Sequence, residues 1–520
     1  MTEPRAETAE LVTRSLSAAA ERTFEDRLDE QAAWLRAAIT NGEMDNGDFT
    51  VGLEMEAYAV SDAAAGSSAD GGLARLPESV FETPAANPEL GEHNVEINTE
   101  PTVLDEAGLR TQADEIRTRT EAATAAAREA GRELVLDGMW TLPPEEGTVE
   151  YLSATAERDG VVFAENMRQY PRYVAIDNHA RAYAGGILSL SVPHVEATFP
   201  TILFESLATS IQPHLQVPTA DELPAYYNAA IRTLGPVLAL TTNSPFLPAD
   251  VYEADADPTA VVNDTYHELR IPVFEQSVNQ TPNAKVRVPR DIERPTDVVD
   301  GVCADDSYAP FLREWVENGD DRETVSDRIW EFDHKRGTYW RWLRCVIGGT
   351  AVDANNDERS LRIEYRPIPT QPTVADVIGV QTLVAGLIHG LVTADHPITE
   401  LSWDAAESGF YAAMRDGLDA ELPWVTADGD RTTDRETVFE EVFAYARRGL
   451  DAAGVPAADV ESYLGPIETR WETRTTPSRW KKDRVRSAVS DGARLPAAIV
   501  EMQREYVRRS RTTDSFSEWL

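Results

Sequence analysis

The sequence predicts an α+β fold, an antiparallel sheet with helices packed to one side, followed by a helical C-terminal region. Three observations carry this expectation. Alternating stretches and helical stretches are interspersed without a regular strand–helix–strand rhythm, which argues against a parallel sheet. Apolar residues make up 42% of the 520 positions, enough for a sizeable core in one large domain or two to three ordinary ones. From about residue 403 the amphipathic helical spacing runs to the end, broken near 423–432 and 473–478.

Taken in order, residues 5–40 predict helix, because Leu11, Leu16, Phe24, Leu28, Trp34 and Leu35 recur at roughly helical spacing. Phe49 to Val60 switches to alternation, with Val51, Leu53, Met55 and Ala57 on one face and Gly52, Glu54, Glu56 and Tyr58 on the other. Residues 61–75, rich in Ala, Ser, Gly and Asp, read as a loop. Glu92 to Thr99 is a second short strand carrying acid. An alanine-rich helix follows over about 105–130 and ends at Gly131, and Leu134 to Gly138 is a strand. Ile202 to Pro218 is apolar, interrupted by polar residues of site character. Asp221 to Leu240 is mostly helical with a break expected at Pro236. Residues 250–300 have few apolar runs and read as an excursion, a lid or an edge segment. Ser360 to Ile368 alternates as a strand, and Thr373 to Thr393 is an apolar helix that should be buried. The expected organisation is a helical segment at 1–45, a central body at 46–400 and a helical region at 401–520. That last region should pack on the sheet or join copies of the chain.

Charge removes several functions. Lys plus Arg is 48 against 90 for Asp plus Glu, a net charge of −42. So negative a field disfavours nucleic acid and anionic lipid as partners. No run of 18 apolar residues exists, so no membrane span is expected. The N-terminus shows no basic head before an apolar run, so the cytoplasm is the expected compartment. Cys303 and Cys345 alone cannot build a disulfide framework or a cysteine-rich metal site. Only four basic residues are lysine, namely Lys285, Lys335, Lys481 and Lys482. Dispersed acid with scarce lysine reads as the halophilic surface of a protein from a salt-saturated cytoplasm; an acidic face for a basic partner is the alternative. No lysine follows glycine, which excludes a P-loop.

Five groups of residues have the types that chemistry needs. Glu54 and Glu56 share a strand face, and hard oxygen ligands at that spacing suit Mg²⁺ or Mn²⁺; a solvated acidic face is the bland reading. Glu96 and Asn98 repeat the pattern, with Glu100 two further on. Gln212, His214 and Gln216 point one way among Ile211, Leu215 and Val217, so they line a cleft or form a satisfied core network. Arg362, Glu364 and Arg366 form either a structural ion-pair row or a metal-binding carboxylate between two guanidinium groups, an arrangement that holds a phosphate and its cation. Trp330, Asp333, His334, Lys335 and Arg336 place basic groups beside aromatics, with Trp340 and Trp342 read as core.

Together these segments resemble the glutamate–cysteine ligase family and the carboxylate–amine ligases allied to it, whose fold is related to glutamine synthetase. The likeness runs from about Gly52 to Val392, with 250–355 poorly matched. Gly52, Glu54 and Glu56 fit a Gly-x-Glu-x-Glu strand, and Glu96, Ile97 and Thr99 fit Glu-Ile-x-Thr. Asn243 to Phe246 fits Asn-Ser-Pro-Phe, and Glu364, Arg366 and Gln371 to Thr373 fit Glu-x-Arg followed by Gln-Pro-Thr. Gln212 stands where many members have histidine, Pro369 where an aspartate is common, and the 250–355 region and the tail beyond 400 are longer than usual.

The resemblance implies a concave sheet and an ATP- and Mg²⁺- (or Mn²⁺-) dependent ligase. Such an enzyme joins a carboxylate, the γ-carboxylate of glutamate by family, to an amine through an acyl phosphate. Cysteine is the leading amine. It further implies Glu54, Glu56, Glu96 and Glu364 as metal ligands, and Gln212, His214, Gln216 and Asn243 on the cofactor side. Of these, Gln212 and His214 would hold a metal or phosphate oxygen, and Asn243 with Ser244 would shape the cleft. Arg366 and Arg362 would stabilise the γ-phosphoryl group, and 250–355 would close over the site. The alternatives are a non-catalytic regulatory homologue that binds a nucleotide or amino acid, and an ATP-dependent phosphotransferase on the same fold.

Overall fold

Alternation at 50–60 builds the central strand, β1 (Thr50–Ser61). Val51, Leu53, Met55 and Ala57 are buried on one face, leaving Glu54 and Glu56 to the other. The computed structural model describes residues 2–61, 71–316, 324–348 and 359–520. On one side β1 pairs with β2 (Asn94–Asn98), and on the other with β3 (Ser210–Val217). Beyond β3 lie β4 (Leu343–Ile347) and β5 (Leu361–Tyr365), in the order β4-β5-β3-β1-β2, every pairing antiparallel. Short strands at Asn87–Pro88, Thr102–Val103, Arg132–Val135 and Ile368–Pro369 complete a nine-stranded sheet that curls into a half-barrel.

Directly opposed residues of an antiparallel pair share a face, so register decides what meets. Glu54 faces Gln212 on one side and Asn98 on the other, Glu56 faces Glu96, and Glu364 lies between His214 and Arg344. Three distant segments thereby put their acids on one concave face. The convex face is apolar: Ile211, Leu215, Val217, Ile363 and Tyr365 join the core with Leu53 and Met55. Three helices cover it.

In chain order the helices that matter here are α1 (Ala18–Thr40), α2 (Glu106–Glu129), α3 (Leu223–Thr241), α4 (Trp330–Arg336) and α5 (Val374–Thr393). After them come α6 (Ala457–Glu472), α7 (Pro477–Ser490) and α8 (Leu495–Thr512). Residues of α2, α3 and α5 fill the core behind the sheet. Asp105 caps α2 through Gly108 N–H, and Thr373 caps α5 through Asp376 N–H. Against α5 packs the helix Arg435–Ala452 at backbone distance, since a Cβ on Gly390 would sit 1.9 Å from the Tyr445 carbonyl oxygen.

The C-terminal helices pack on the body and are tied to it by buried charge. Arg470 of α6 donates to Asp376 Oδ1 at 2.8 Å and to Gln371 Oε1 at 2.6 Å, with both charged side chains fully buried. Lys481 of α7 donates to Asp137 and to the Asn243 carbonyl, and Gln503 of α8 also donates to Asp137.

Several expectations need correction. The 5–40 helix is two, Thr2–Ser15 and α1, because Ser17 leaves the helix to cap Ala20 N–H. No break occurs at Pro236; α3 runs through it, since burial on all sides outweighs one lost donor. The strand expected at 134–138 is Arg132–Val135. Of the 61–75 loop, residues 62–70 lie outside the described residues, as do 317–323 and 349–355 of the 250–355 segment. Despite the absence of an 18-residue apolar run, α5 has the length and mean hydropathy of a membrane span. It is instead the buried central helix behind the sheet.

Candidate active site

Glu54 stands where two cavities meet. The larger, about 340 Å³, is lined by Glu54, Glu56, Glu89, Glu96 and Glu205, by Arg172, Arg336, Arg344 and Arg366, and by Gln212. Ile176, Ile202, Phe274, Val278 and Trp340 add an apolar wall. The smaller, about 210 Å³, is lined by Thr50, Gly52, Glu54, Asn98, His214 and Arg362. Strand alternation places each of the sheet residues, because every one occupies a concave-face position in the register above.

Between the cavities, ligand atoms of Glu54, His214 and Glu364 all lie within 4.8 Å of one another. His214 Nε2 is 3.3 Å from Glu54 Oε1, yet it is a buried nitrogen without a hydrogen-bond partner among the described residues. Such an orphan is costly unless something else partners it. Two ligands on opposite sides of an octahedral ion at roughly 2.1 Å are about 4.2 Å apart, so a small inward shift would close this trio on Mg²⁺ or Mn²⁺. The donor set therefore fits a divalent cation.

The charges divide into two populations. Burial works to raise the Glu364 carboxyl, but Arg344, Arg366 and His214 outweigh it and leave the group well below the ordinary range. Arg344 Nε donates to Glu364 Oε2 at 2.7 Å, and Arg366 bonds Glu364 and, at 2.7 Å, Gln212 Oε1. Glu54 is likewise lowered against burial, chiefly by His214. Across the cavity the balance reverses. Burial, then Glu54 and Glu89, push Glu96 well above its usual value, and burial with neighbouring acids takes both Glu89 and Glu205 up to about 8. Burial also raises Glu56, despite Arg270 and the Ser210 N–H at 2.7 Å. A wall of buried acids short of positive charge is the environment that a bound cation relieves.

Of the residues singled out in the sequence, Glu54, Glu56, Glu96, Gln212 and Arg366 line the larger cavity. His214 and Arg362 line the smaller one, and Glu364 touches Arg344 and Arg366 between them. Gln216 and Asn243 are placed elsewhere. Gln216 sits at the end of β3 and donates to the Asp48 carbonyl, while Asn243 is wholly buried and donates to the Thr370 carbonyl and the Tyr506 hydroxyl. Glu100 lies beyond the end of β2, where it is exposed at the edge of the smaller cavity that it helps to line. Trp342 is core as expected, but Trp340 lines the cavity. Glu89, Glu205, Arg172 and Arg344 carry no motif in the sequence. Arg336 stood in a cluster whose aromatics drew the reading toward core.

The Glutamate-cysteine ligase family 2 model matches residues 50–513. No curated protein matches the chain. Among solved structures, glutamate–cysteine ligase from Francisella tularensis in complex with AMP is similar with a TM-score of 0.51 at 12% identity, over 91% of this chain and 90% of that one. A bifunctional glutathione synthetase from Pasteurella multocida gives 0.49 at 13% identity, over 89% of this chain and 53% of that one. At 12% identity the likeness to the Francisella protein is one of fold. The family match spans the strands that carry the acids as well as the C-terminal helices that anchor them, and the chain belongs to glutamate–cysteine ligase family 2, a family of ATP-dependent ligases.

Proposed function

We propose that this ligase joins the γ-carboxylate of glutamate to an amine, with cysteine the leading acceptor, through an acyl phosphate. A carboxylate oxygen attacks the γ-phosphorus of ATP and ADP leaves. The amine nitrogen then attacks the acyl carbon, phosphate departs, and the nitrogen gives up a proton. The chain's task is to gather strongly negative reactants and neutralise charge as it develops.

The observation that carries this reading is the convergence of Glu54, His214 and Glu364 from three strands onto one point. These three would hold one Mg²⁺ or Mn²⁺, which would supply charge neutralisation to the phosphates, and Glu56 and Glu96 add acid to the cavity beside it. Arg366, held by Glu364 and Gln212, is positioned for the γ-phosphoryl group. Arg362, whose Nε has no hydrogen-bond partner among the described residues, serves the smaller cavity, which suits the nucleotide's phosphates. The AMP complex of the Francisella protein supports a nucleotide in this fold. Arg172, Arg336 and Arg344 surround the larger cavity, where the carboxylate and amine would meet. Phe274, Val278 and Trp340, all from the 250–355 segment, would keep water from the acyl phosphate. We take the net charge of −42 as adaptation to a salt-rich cytoplasm. The test is ADP release in molar KCl, with mass spectrometry of the product formed from ATP, glutamate and a mixed pool of amines. A glutamyl amide supports the reading; ADP at background with every pairing overturns it.

A further inference from the structure

The short helix α4 delivers Arg336 to the cavity, yet both of its buried charges are neutralised from outside the matched family region. Glu331 is 3% exposed and accepts from Arg27 Nη1 at 2.8 Å and Gln31 Nε2 at 2.6 Å. Lys335 is 2% exposed and donates to Glu25 Oε1 at 3.2 Å, as well as to the Cys303 carbonyl. Gln31 also accepts from Phe332 N–H at 2.8 Å, and Phe24 meets the His334 ring edge-on at 6.0 Å. All four partners, Phe24, Glu25, Arg27 and Gln31, lie within about two turns of α1. The family match begins at residue 50, after α1 ends.

What α4 does in the cavity depends on where it is held. Arg336 Nε pairs with Asp333 Oδ1 at 2.7 Å, which turns the guanidinium along the cavity wall. The Arg336 carbonyl accepts from Arg344 Nη1 at 3.1 Å, and Arg344 Nε in turn donates to Glu364 at 2.7 Å. The His334 carbonyl accepts from Arg172 Nη2 at 3.3 Å. Three cavity arginines are thus referenced to the backbone or side chains of a seven-residue helix. That helix is too short to hold itself, so its position is set by its neighbours.

We infer that α1 is a positioning brace for the active site: through Glu25, Arg27 and Gln31 it fixes α4, and through α4 it sets where Arg336, Arg344 and Arg172 present their charges to the anionic substrates. Glu25, Arg27 and Gln31 are positioning residues and touch no reactant. Removing Arg27 and Gln31 would leave the buried Glu331 carboxylate without its counter-charge, and α4 would move to find solvent. The inference rests on the ligase reading for its kinetic consequence but not for its structural one.

The experiment compares wild type, Arg27→Ala/Gln31→Ala, Arg27→Lys and Arg27→Ala/Gln31→Ala/Glu331→Gln, all well below their thermal midpoints. In the Ala pair, kcat/KM falls about 10- to 10²-fold, with KM for ATP or the carboxylate raised. Arg27→Lys recovers most of it, and adding Glu331→Gln, which removes the stranded charge, recovers part. Amide hydrogen exchange in the Ala pair rises at 330–347 and not in β1 or β3. Wild-type kinetics in the Ala pair, or a fall in kcat/KM that Arg27→Lys fails to rescue, overturns the brace. If the wild type proves inactive, the ligase reading fails separately and exchange still decides: unchanged exchange at 330–347 overturns the brace.

Discussion

Glu54 is the side chain on which both cavities depend, since it lines each of them and lies against His214. Glu54→Gln keeps the shape but removes the charge, so turnover should fall at least about 10²-fold with the thermal midpoint little changed. A variant with near-normal turnover would contradict the assignment. A second residue gives a pH signature. Burial takes the His93 imidazole from 6.5 down to about 4, where its two nitrogens meet the Tyr151 hydroxyl and the Ser206 carbonyl, each at 2.9 Å. The unfolded chain therefore takes up this proton first. His93's share of stability is complete above about pH 6.5 and is lost as the pH falls toward 4, at most about 3 kcal/mol. Unfolding free energies of His93→Gln should lack that share of the slope; a slope equal to wild type would contradict it. At this scale the sequence was legible where a local rule applied. Glu54, Glu56, Glu96 and Glu364 each follow two-residue alternation within their own strands, β1, β2 and β5. Arg344 was not legible, because only the β4–β5 register puts it opposite Glu364. Gln216 has the right face of β3 but sits at its end, and Asn243 belongs to a motif whose role is to tie the C-terminal helices.

Between elements, buried charge and close glycine contacts do the fastening. Arg470 links α6 to Asp376 at the start of α5, and Asp376 Oδ2 also accepts from Phe516 N–H near the chain's end. Arg470→Met would strand a buried carboxylate and should cost about 3–5 kcal/mol, measurable by chemical denaturation. A cost below about 1 kcal/mol would mean the pair is dispensable. Gly390→Ala forces a methyl into the Tyr445 carbonyl, so the helix pair must separate at a cost of about 1–3 kcal/mol. A neutral effect on stability would contradict that packing. Helices and strands were readable from periodicity, whereas Pro236 misled because the signal for a break is local and the burial that overrides it is not. The role of the C-terminal helices was unreadable for a like reason: Arg470 and Lys481 look like ordinary basic residues until their partners, 94 and 344 positions away, are known.

For the whole molecule the charge pattern gains meaning from burial. All four lysines are buried, with exposures of 0, 2, 1 and 6%, so the described surface presents arginine and acid but no lysine amine. With a net charge of −42, self-repulsion should dominate when screening fails. Lowering KCl from about 2 M to about 0.1 M lengthens the screening distance from under 3 Å to roughly 10 Å, and the thermal midpoint should fall steeply. A midpoint indifferent to salt would contradict the halophilic reading. The antiparallel sheet was foreseen from the order of elements and its concavity from the family resemblance, and the register of β1, β2, β3 and β5 brings the acids together. The most direct test of that convergence is a crystal structure with Mn²⁺ and a non-hydrolysable ATP analogue, read by anomalous scattering. The account predicts a peak bounded by Glu54, His214 and Glu364 that disappears in Glu364→Gln; manganese bound elsewhere, with that trio left hydrogen-bonded to protein or water, would contradict it.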